Sequence, residues 1–386
     1  MSLPRHQDRR VQRGRRRDGS RERIRYAVVG LGHIAQNAVL PAFENAAKNC
    51  ELAALVSDDK AKLKKLGREY DVSEQFSYDQ FEQCLAEAAI DAVYIALPND
   101  MHEEYTIRAA RQGVHVLCEK PLAVTSRECE RMISECDRRG VKLMTAYRLH
   151  FDPANLEAIE LIQSKRLGEA RAFGSLSSFQ VTPGNIRVKP QKGGGTLYDI
   201  GIYCINAARY VFQAEPLEVF AWTGRRSDRR FRGIEEMTSA VMRFRGDRLA
   251  TFTCSFGAAS EARYEVLGTK GLLRLTSAYE YELPMELELV VNEQHKVHSY
   301  KKRDQFAPEL IYFSDCILND GNPEPSGNEG LIDVRIIEAL YESARRRTPV
   351  KIGALPRVKH PRGDQRFTCP TPKKPKLLHV EAPTEE

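Results

Sequence analysis

Between residues 24 and 147, short apolar runs alternate with stretches in which apolar and charged positions recur at helical spacing. The runs 26–29, 52–56, 92–97, 114–117 and 142–145 read as strands, while intervening segments such as 102–112 and 126–139 read as helices stopped by Gly113 and Gly140. This rhythm predicts a doubly wound parallel sheet. From about residue 168 the period changes to two. Segments 170–180, 218–223, 239–244, 249–256, 263–267, 272–275 and 287–291 predict half-buried strands, separated by turn signals such as Arg245-Gly246-Asp247 and Gly268-Thr269-Lys270-Gly271. They imply a meandering antiparallel sheet, one face of which helices at 153–165 and 199–212 cover in part. A face left open favours self-association. Residues 309–346 return to helical spacing, interrupted by a Gly-, Pro- and Asn-rich loop at 319–328.

The expected fold class is therefore α/β: an N-terminal doubly wound domain at 24–147 and a C-terminal α+β domain at 148–352 with an open, mostly antiparallel sheet. Length supports two cores, since the chain has 386 residues of which 42% are hydrophobic. Charge changes the picture at the ends only. Residues 1–25 hold ten arginines against Asp8, Asp18 and Glu22, a surplus of seven that turns a formal +6 into a body one unit negative. A nearly neutral body argues against a nucleic-acid-binding fold, and a disordered basic arm is expected at 1–23. Lys373, Lys374 and Lys376, several prolines and the terminal Glu385-Glu386 predict a flexible tail over 353–386.

Nine cysteines without a C-x-x-C pair or metal-ligand spacing read as reduced thiols of a cytoplasmic protein with no metal site. Arg15-Arg16-Arg17 precedes an apolar stretch at 26–40, as in a twin-arginine export signal. That stretch contains a glycine turn the fold needs, and no A-x-A-like site precedes Tyr26, so export is not expected. No run approaches the roughly 20 apolar residues that cross a bilayer.

The chemistry lies at the strand ends. Gly30-Leu31-Gly32-His33-Ile34-Ala35 follows a strand and opens a helical pattern, so Gly30, Gly32, His33 and Ile34 are placed to meet a dinucleotide pyrophosphate at a helix N-terminus. At the end of the second strand Asp58 is placed for a ribose hydroxyl and argues for NAD; Ser57 and Lys62 can hold the 2′-phosphate of NADP. Leu97, Pro98, Asn99 and His102 follow the next long strand beside the expected cofactor, although a histidine at a helix start is also a common capping residue. Glu119-Lys120-Pro121 then sets an ammonium at the ligand-binding edge of the sheet.

Farther along, Gly193-Gly194-Gly195-Thr196-Leu197-Tyr198-Asp199-Ile200-Gly201-Ile202-Tyr203 puts Asp199 and Tyr203 four apart, on one helix face. A free tyrosine titrates near 10, which costs a base at neutral pH roughly 4 kcal/mol. An ammonium about 4 Å away supplies interaction of that order at an effective dielectric of ~20. Lys120, Asp199 and Tyr203 therefore read as a catalytic set. His150, Arg187, Lys189 and Lys192 are candidate substrate contacts.

Together these elements resemble the family of glucose-fructose oxidoreductase, inositol 2-dehydrogenase and rhizopine catabolism protein, over residues 24 to about 352. Glu119-Lys120-Pro121 stands where that family has its EKP motif, and Asp199-Ile200-Gly201-Ile202-Tyr203 where it has Asp followed by His or Tyr. Ala146-Tyr147-Arg148-Leu149-His150-Phe151 resembles the glucose-fructose oxidoreductase branch. The resemblance implies a Rossmann domain at 24–147, a substrate-binding and oligomerisation domain at 148–352, and NADP or NAD as cofactor. It also implies homodimers or homotetramers made through the second sheet, and hydride transfer between nicotinamide and a sugar or polyol hydroxyl. Lys120 and Tyr203 would be catalytic, Asp199 would orient them, Glu119 would share the cofactor site, and Arg148 would lie near nicotinamide or substrate. Ser57 and Lys62 resemble that branch's phosphate-accepting residues, whereas Asp58 replaces its usual glycine; the choice leans to NADP. The rivals are a cofactor-sensing regulator on the same fold and a dihydrodiol dehydrogenase or carbonyl reductase.

Overall fold

The computed structural model describes residues 23–380 and 382–384, so the basic arm, apart from Arg23, lies outside the described residues. The first half comprises β1 (Ile24–Val29), α1 (Leu40–Ala46), β2 (Cys50–Val56), α2 (Lys60–Glu69), β3 (Glu74–Phe76), α3 (Phe81–Glu87), β4 (Ala92–Ile95), α4 (His102–Arg111), β5 (His115–Glu119), α5 (Ser126–Arg139) and β6 (Leu143–Ala146). The strands pair in parallel in the order β3-β2-β1-β4-β5-β6. Strand order reverses between β1 and β4, which opens a crevice outside their carboxyl ends. All four residues of β4 are buried, as a central strand covered on both faces requires. Thr125 and Glu128 form a capping box on α5, and Gly140 ends that helix at φ 66°.

The second half comprises α6 (Pro153–Gln163), β7 (Ala170–Ser178), α7 (Ile202–Phe212), β8 (Glu218–Gly224), β9 (Met237–Phe244), β10 (Arg248–Ser255), β11 (Glu261–Gly268), β12 (Gly271–Thr276), β13 (Met285–Val291), β14 (Gln294–Tyr300), α8 (Ala307–Leu318), α9 (Gly327–Arg346) and β15 (Val350–Lys351). Its nine strands run in the order β14-β13-β12-β11-β7-β10-β9-β8-β15. The sheet is mostly antiparallel but is not a plain meander, because β7 inserts between β11 and β10 and pairs with β10 in parallel. Alternation along β9 and β10 buries Ala240, Met242, Ala250 and Phe252 and leaves Met237, Val241, Leu249 and, on neighbouring β8, Trp222 exposed on the outer face.

The last helices return to the first sheet. Helix α8 packs Ala307, Leu310, Phe313 and Ile317 into one core with Tyr26, Val28 and Leu55. The Tyr26 hydroxyl lies 2.8 Å from Ser314 Oγ, and Asn49 Nδ2 donates to Ile311 O (2.9 Å) and to Asp315 Oδ1 (2.8 Å). Helix α9 contributes Leu331 and Val334 to the nucleotide-side core and Ile332, Ile336, Ile337 and Leu340 to the core under the second sheet. Periodicity alone does not say which sheet an amphipathic helix covers.

The segment beyond β15 has little regular structure but lies against the body. Phe367 packs edge-on against Phe151, Cys369 is buried, and Asn45 Nδ2 donates to Pro370 O at 2.8 Å. Such a segment is held through backbone carbonyls and single side chains, so its composition resembles that of a solvated tail. All nine cysteines are free and buried. No helix among the described residues is long and apolar enough to cross a membrane.

Candidate active site

The crevice begins at the glycine turn after β1. Gly30 adopts φ +93°, and a Cβ there would lie 2.6 Å from Ala96 O, so only glycine allows β1 and β4 to end this close together. A Cβ on Gly32 would meet nothing within 4 Å, which leaves that part of the turn facing open space. A tight turn followed by an open backbone and a helical segment is what a pyrophosphate needs. His33 and Ile34 flank the opening, both half-buried. Burial, followed by the charge of Arg187, holds the His33 imidazole below its ordinary range.

On the ribose side, Ser57 is buried and its Oγ accepts from Asp59 N at 3.2 Å. Asp58 Oδ1 accepts from Tyr78 N at 2.9 Å and ties the loop to the turn after β3. Asp59 caps α2, and the Lys62 side chain stands half-buried beside it. The two residues suited to a 2′-phosphate therefore sit together.

Beyond β4, Leu97 is buried, Pro98 and Asn99 line the crevice edge, and Asn99 Nδ2 donates to Gly193 O at 2.9 Å. His102, expected among the cofactor contacts, is corrected by its burial. It is 0% exposed, with Nδ1 2.9 Å from Pro121 O and Nε2 2.9 Å from Leu97 O. It joins the loop after β4 to the loop after β5, and so positions Lys120 from behind. His150 is likewise no substrate contact: it is buried against Tyr210, and burial pushes its pKa down to about 3.

Lys120, Asp199 and Tyr203 converge. Lys120 Nζ donates to Asp199 O at 2.7 Å and to Asp199 Oδ1 at 3.2 Å, and stands 4.7 Å from the Tyr203 ring centroid. Asp199 lies on a π-helical turn, Leu197–Gly201, that runs directly into α7, and Tyr203 lies in the first turn of α7. Arg187 Nε donates to Asp199 Oδ2 at 2.7 Å, so each carboxylate oxygen faces its own cation. Burial opposes the charge on Asp199, but Arg187 and Lys120 outweigh it and hold the carboxyl down at about 2. Burial also opposes the charge on Lys120; Tyr203, Asp199 and Glu119 overcome it and leave the ammonium raised. The glycine run allows this approach, because a Cβ on Gly193 would lie 2.6 Å from Val124 Cγ2 and 2.8 Å from Asn99 Cβ.

Arg148 stands over the Tyr203 ring, 4.9 Å from its centroid, held by Gln305 and by Tyr279 O. Tyr279 stacks on Tyr203 at 5.9 Å and 18°. The phenol is therefore held by one ring face and two cations. Glu119 accepts from Tyr94 OH (2.9 Å) and from Lys120 N (3.2 Å), and burial, partly offset by Lys120, raises its pKa.

Glu309, unmarked in the sequence, lies near this group at the start of α8. Both its oxygens are buried and unpartnered among the described residues, and burial, then Glu119, holds it well above the carboxylate range. An acid in the first turn of a helix ordinarily reads as a dipole partner, so no pattern singled it out. Of the other candidate substrate contacts, Arg187 joins the site through Asp199, Lys192 Nζ bonds Asp100 Oδ2 at 3.1 Å, and Lys189 is half-buried.

Residues 24–147 match the oxidoreductase family described by its NAD-binding Rossmann fold, and residues 155–274 match the GFO/IDH/MocA C-terminal domain. The NADP-dependent D-xylose 1-dehydrogenase of Haloarcula marismortui is 30% identical, over 85% of this chain and 93% of its own. The aldose-aldose oxidoreductase of Caulobacter crescentus, solved with glycerol, superposes with a TM-score of 0.81 at 36% identity, over 85% of this chain and 99% of that one. A 3-ketoreductase of Actinomadura kijaniata, solved with NADP and TDP-benzene, gives 0.76 at 26% identity, over 83% and 98%.

Proposed function

Because this chain belongs to the Gfo/Idh/MocA oxidoreductase family, we infer that it oxidises a hydroxyl of a sugar or polyol with NADP or NAD, Tyr203 acting as the base. The observation that carries the reading is the convergence of Lys120, Arg148 and Asp199 on Tyr203 beside the open glycine turn. The relatives that act on D-xylose and on aldoses favour a sugar. Tyr203 reacts as its phenolate, whose charge Lys120 and Arg148 stabilise, and takes the proton of the substrate hydroxyl to become the neutral phenol as the carbon hydride leaves. Asp199, held by Arg187, keeps the Lys120 ammonium turned toward the ring and the π-helical turn before α7. The nicotinamide, when bound, supplies the hydride acceptor; Gly30, Gly32, Ser57, Lys62 and Asn99 would hold its dinucleotide. Run in reverse, the same groups protonate a carbonyl oxygen as it is reduced.

The test follows reduced-nicotinamide absorbance of the purified chain with NADP or NAD against a panel of aldoses, inositols and diols. Turnover of an aldose is expected. Oxidation of diols alone would move the substrate to the class of the trans-1,2-dihydrobenzene-1,2-diol dehydrogenase of Sus scrofa, 26% identical over 71% of this chain. Cofactor binding without any turnover would make the protein a sensor.

Self-association through the second sheet belongs to the same reading, supported by Trp222, Val241 and Leu249 exposed on its outer face. Light scattering should give a multiple of the 43.8 kDa chain mass. Trp222→Glu combined with Val241→Glu should lower it toward one chain; a wild-type monomer would refute the surface.

A further inference from the structure

The segment after β15 ends on the ribose loop. Leu378 N donates to Gln36 Oε1 at 2.8 Å, and Gln36 Nε2 donates back to Leu378 O at 3.0 Å. His379 Nδ1 lies 2.8 Å from Asp59 Oδ2, and Lys65 Nζ, on α2, donates to Lys376 O at 2.7 Å. Residues 376–379 thus run from α2 to the helical segment that follows the glycine turn. They pass the loop holding Ser57 and Asp58 and the first turn of α2, which carries Lys62. Gln36 is buried and also donates to Leu31 O, so the strand of chain is anchored on an interior group next to the phosphate turn.

The charge at this place is unbalanced. Lys62, Lys373, Lys374 and Lys376 have no carboxylate partner among the described residues, while Asp58 is engaged by Tyr78 N and Asp59 by His379 and the cap of α2. A lysine-rich segment laid on α2, which carries Lys62, close to a loop with a buried serine hydroxyl favours a phosphate over a neutral ribose. The likeness to the aldose-aldose oxidoreductase uses 85% of this chain and 99% of that one, so this chain has length that its relative lacks.

We propose that residues 373–380 form a clasp at the adenosine end of the cofactor crevice, and that their basic side chains, with Ser57 and Lys62, select a dinucleotide bearing a 2′-phosphate. This rests on the reading of the crevice as a dinucleotide site. A Cβ on Gly32 would meet no atom within 4 Å, those of the segment included, so the segment does not fill that part of the glycine turn.

The experiment measures dissociation constants of NADP and NAD by calorimetry, without substrate, for the full chain and for the chain ended after Pro372. Truncation should weaken NADP about tenfold or more and NAD far less, as expected for loss of charge-assisted contacts to one phosphate. Lys374→Ala combined with Lys376→Ala and His379→Ala, all at exposed positions, should reproduce part of that loss even if the truncated chain folds poorly. An NADP to NAD ratio unchanged in the triple variant overturns the clasp, as does tighter binding of both dinucleotides after truncation. Absence of binding to either dinucleotide by the full chain overturns the cofactor reading itself.

Discussion

Replacing Tyr203 by Phe lowers kcat by about a hundredfold or more, the usual cost of losing a general acid/base, while KM and dinucleotide affinity stay near their wild-type values. The split follows from what the substitution keeps. The ring remains stacked on Tyr279 and faced by Lys120 at 4.7 Å and Arg148 at 4.9 Å, so shape and cation contacts persist and only the hydroxyl is lost. An interaction that acts on proton transfer alone lowers kcat and kcat/KM together. Initial rates over a range of substrate, with dinucleotide binding measured separately, check it. Wild-type kcat in the variant would remove Tyr203 from the reaction.

Arg209→Met should cost about 3–5 kcal/mol of folding stability, because it leaves buried carboxylates without their cation. Arg209 is fully buried on α7, two turns beyond Tyr203. Its guanidinium meets Glu215 Oε2 at 2.5 Å, Asp333 Oδ1 at 2.6 Å and Glu329 Oε1 at 3.0 Å. Burial, with Arg209 opposing it, lifts Glu329 to about 7 and raises Asp333. Without the guanidinium, burial acts with less opposition and both groups keep their protons to higher pH when folded. A folded pKa above the unfolded one means stability kept at low pH and lost as pH rises from the unfolded value toward the folded one. The deficit should therefore be smaller at about pH 5 than at about pH 8. Urea unfolding at both values checks the sign, and equal deficits would mean that only packing was lost.

The alternation of buried strands and helices was legible because parallel strands covered on both faces are almost wholly apolar. The three-residue edge strand β3, the largely exposed β14 and the two-residue β15 carried no such signal. At the site, spacing brought Asp199 and Tyr203 to one helix, and a strand end brought Lys120 to them across 79 residues. Asp58 and His102 were legible as neighbours of the crevice, but the partners of their side chains were not: one accepts from the Tyr78 amide beyond β3, the other lies between two carbonyls from inside. Glu309 and Tyr279 reach the site through tertiary folding alone, which one-dimensional pattern does not record.

The packing of α8 and α9 has a bearing on biosynthesis. Tyr26 and Val28 leave the ribosome long before their cover, which runs from Ala307 to Ile317. Leu331 and Val334 complete the opposite face later still. The nucleotide-binding sheet is thus made well before the helices that close it. A nascent chain halted near residue 147 would present apolar surface on both faces of that sheet, the state in which chaperones are most needed.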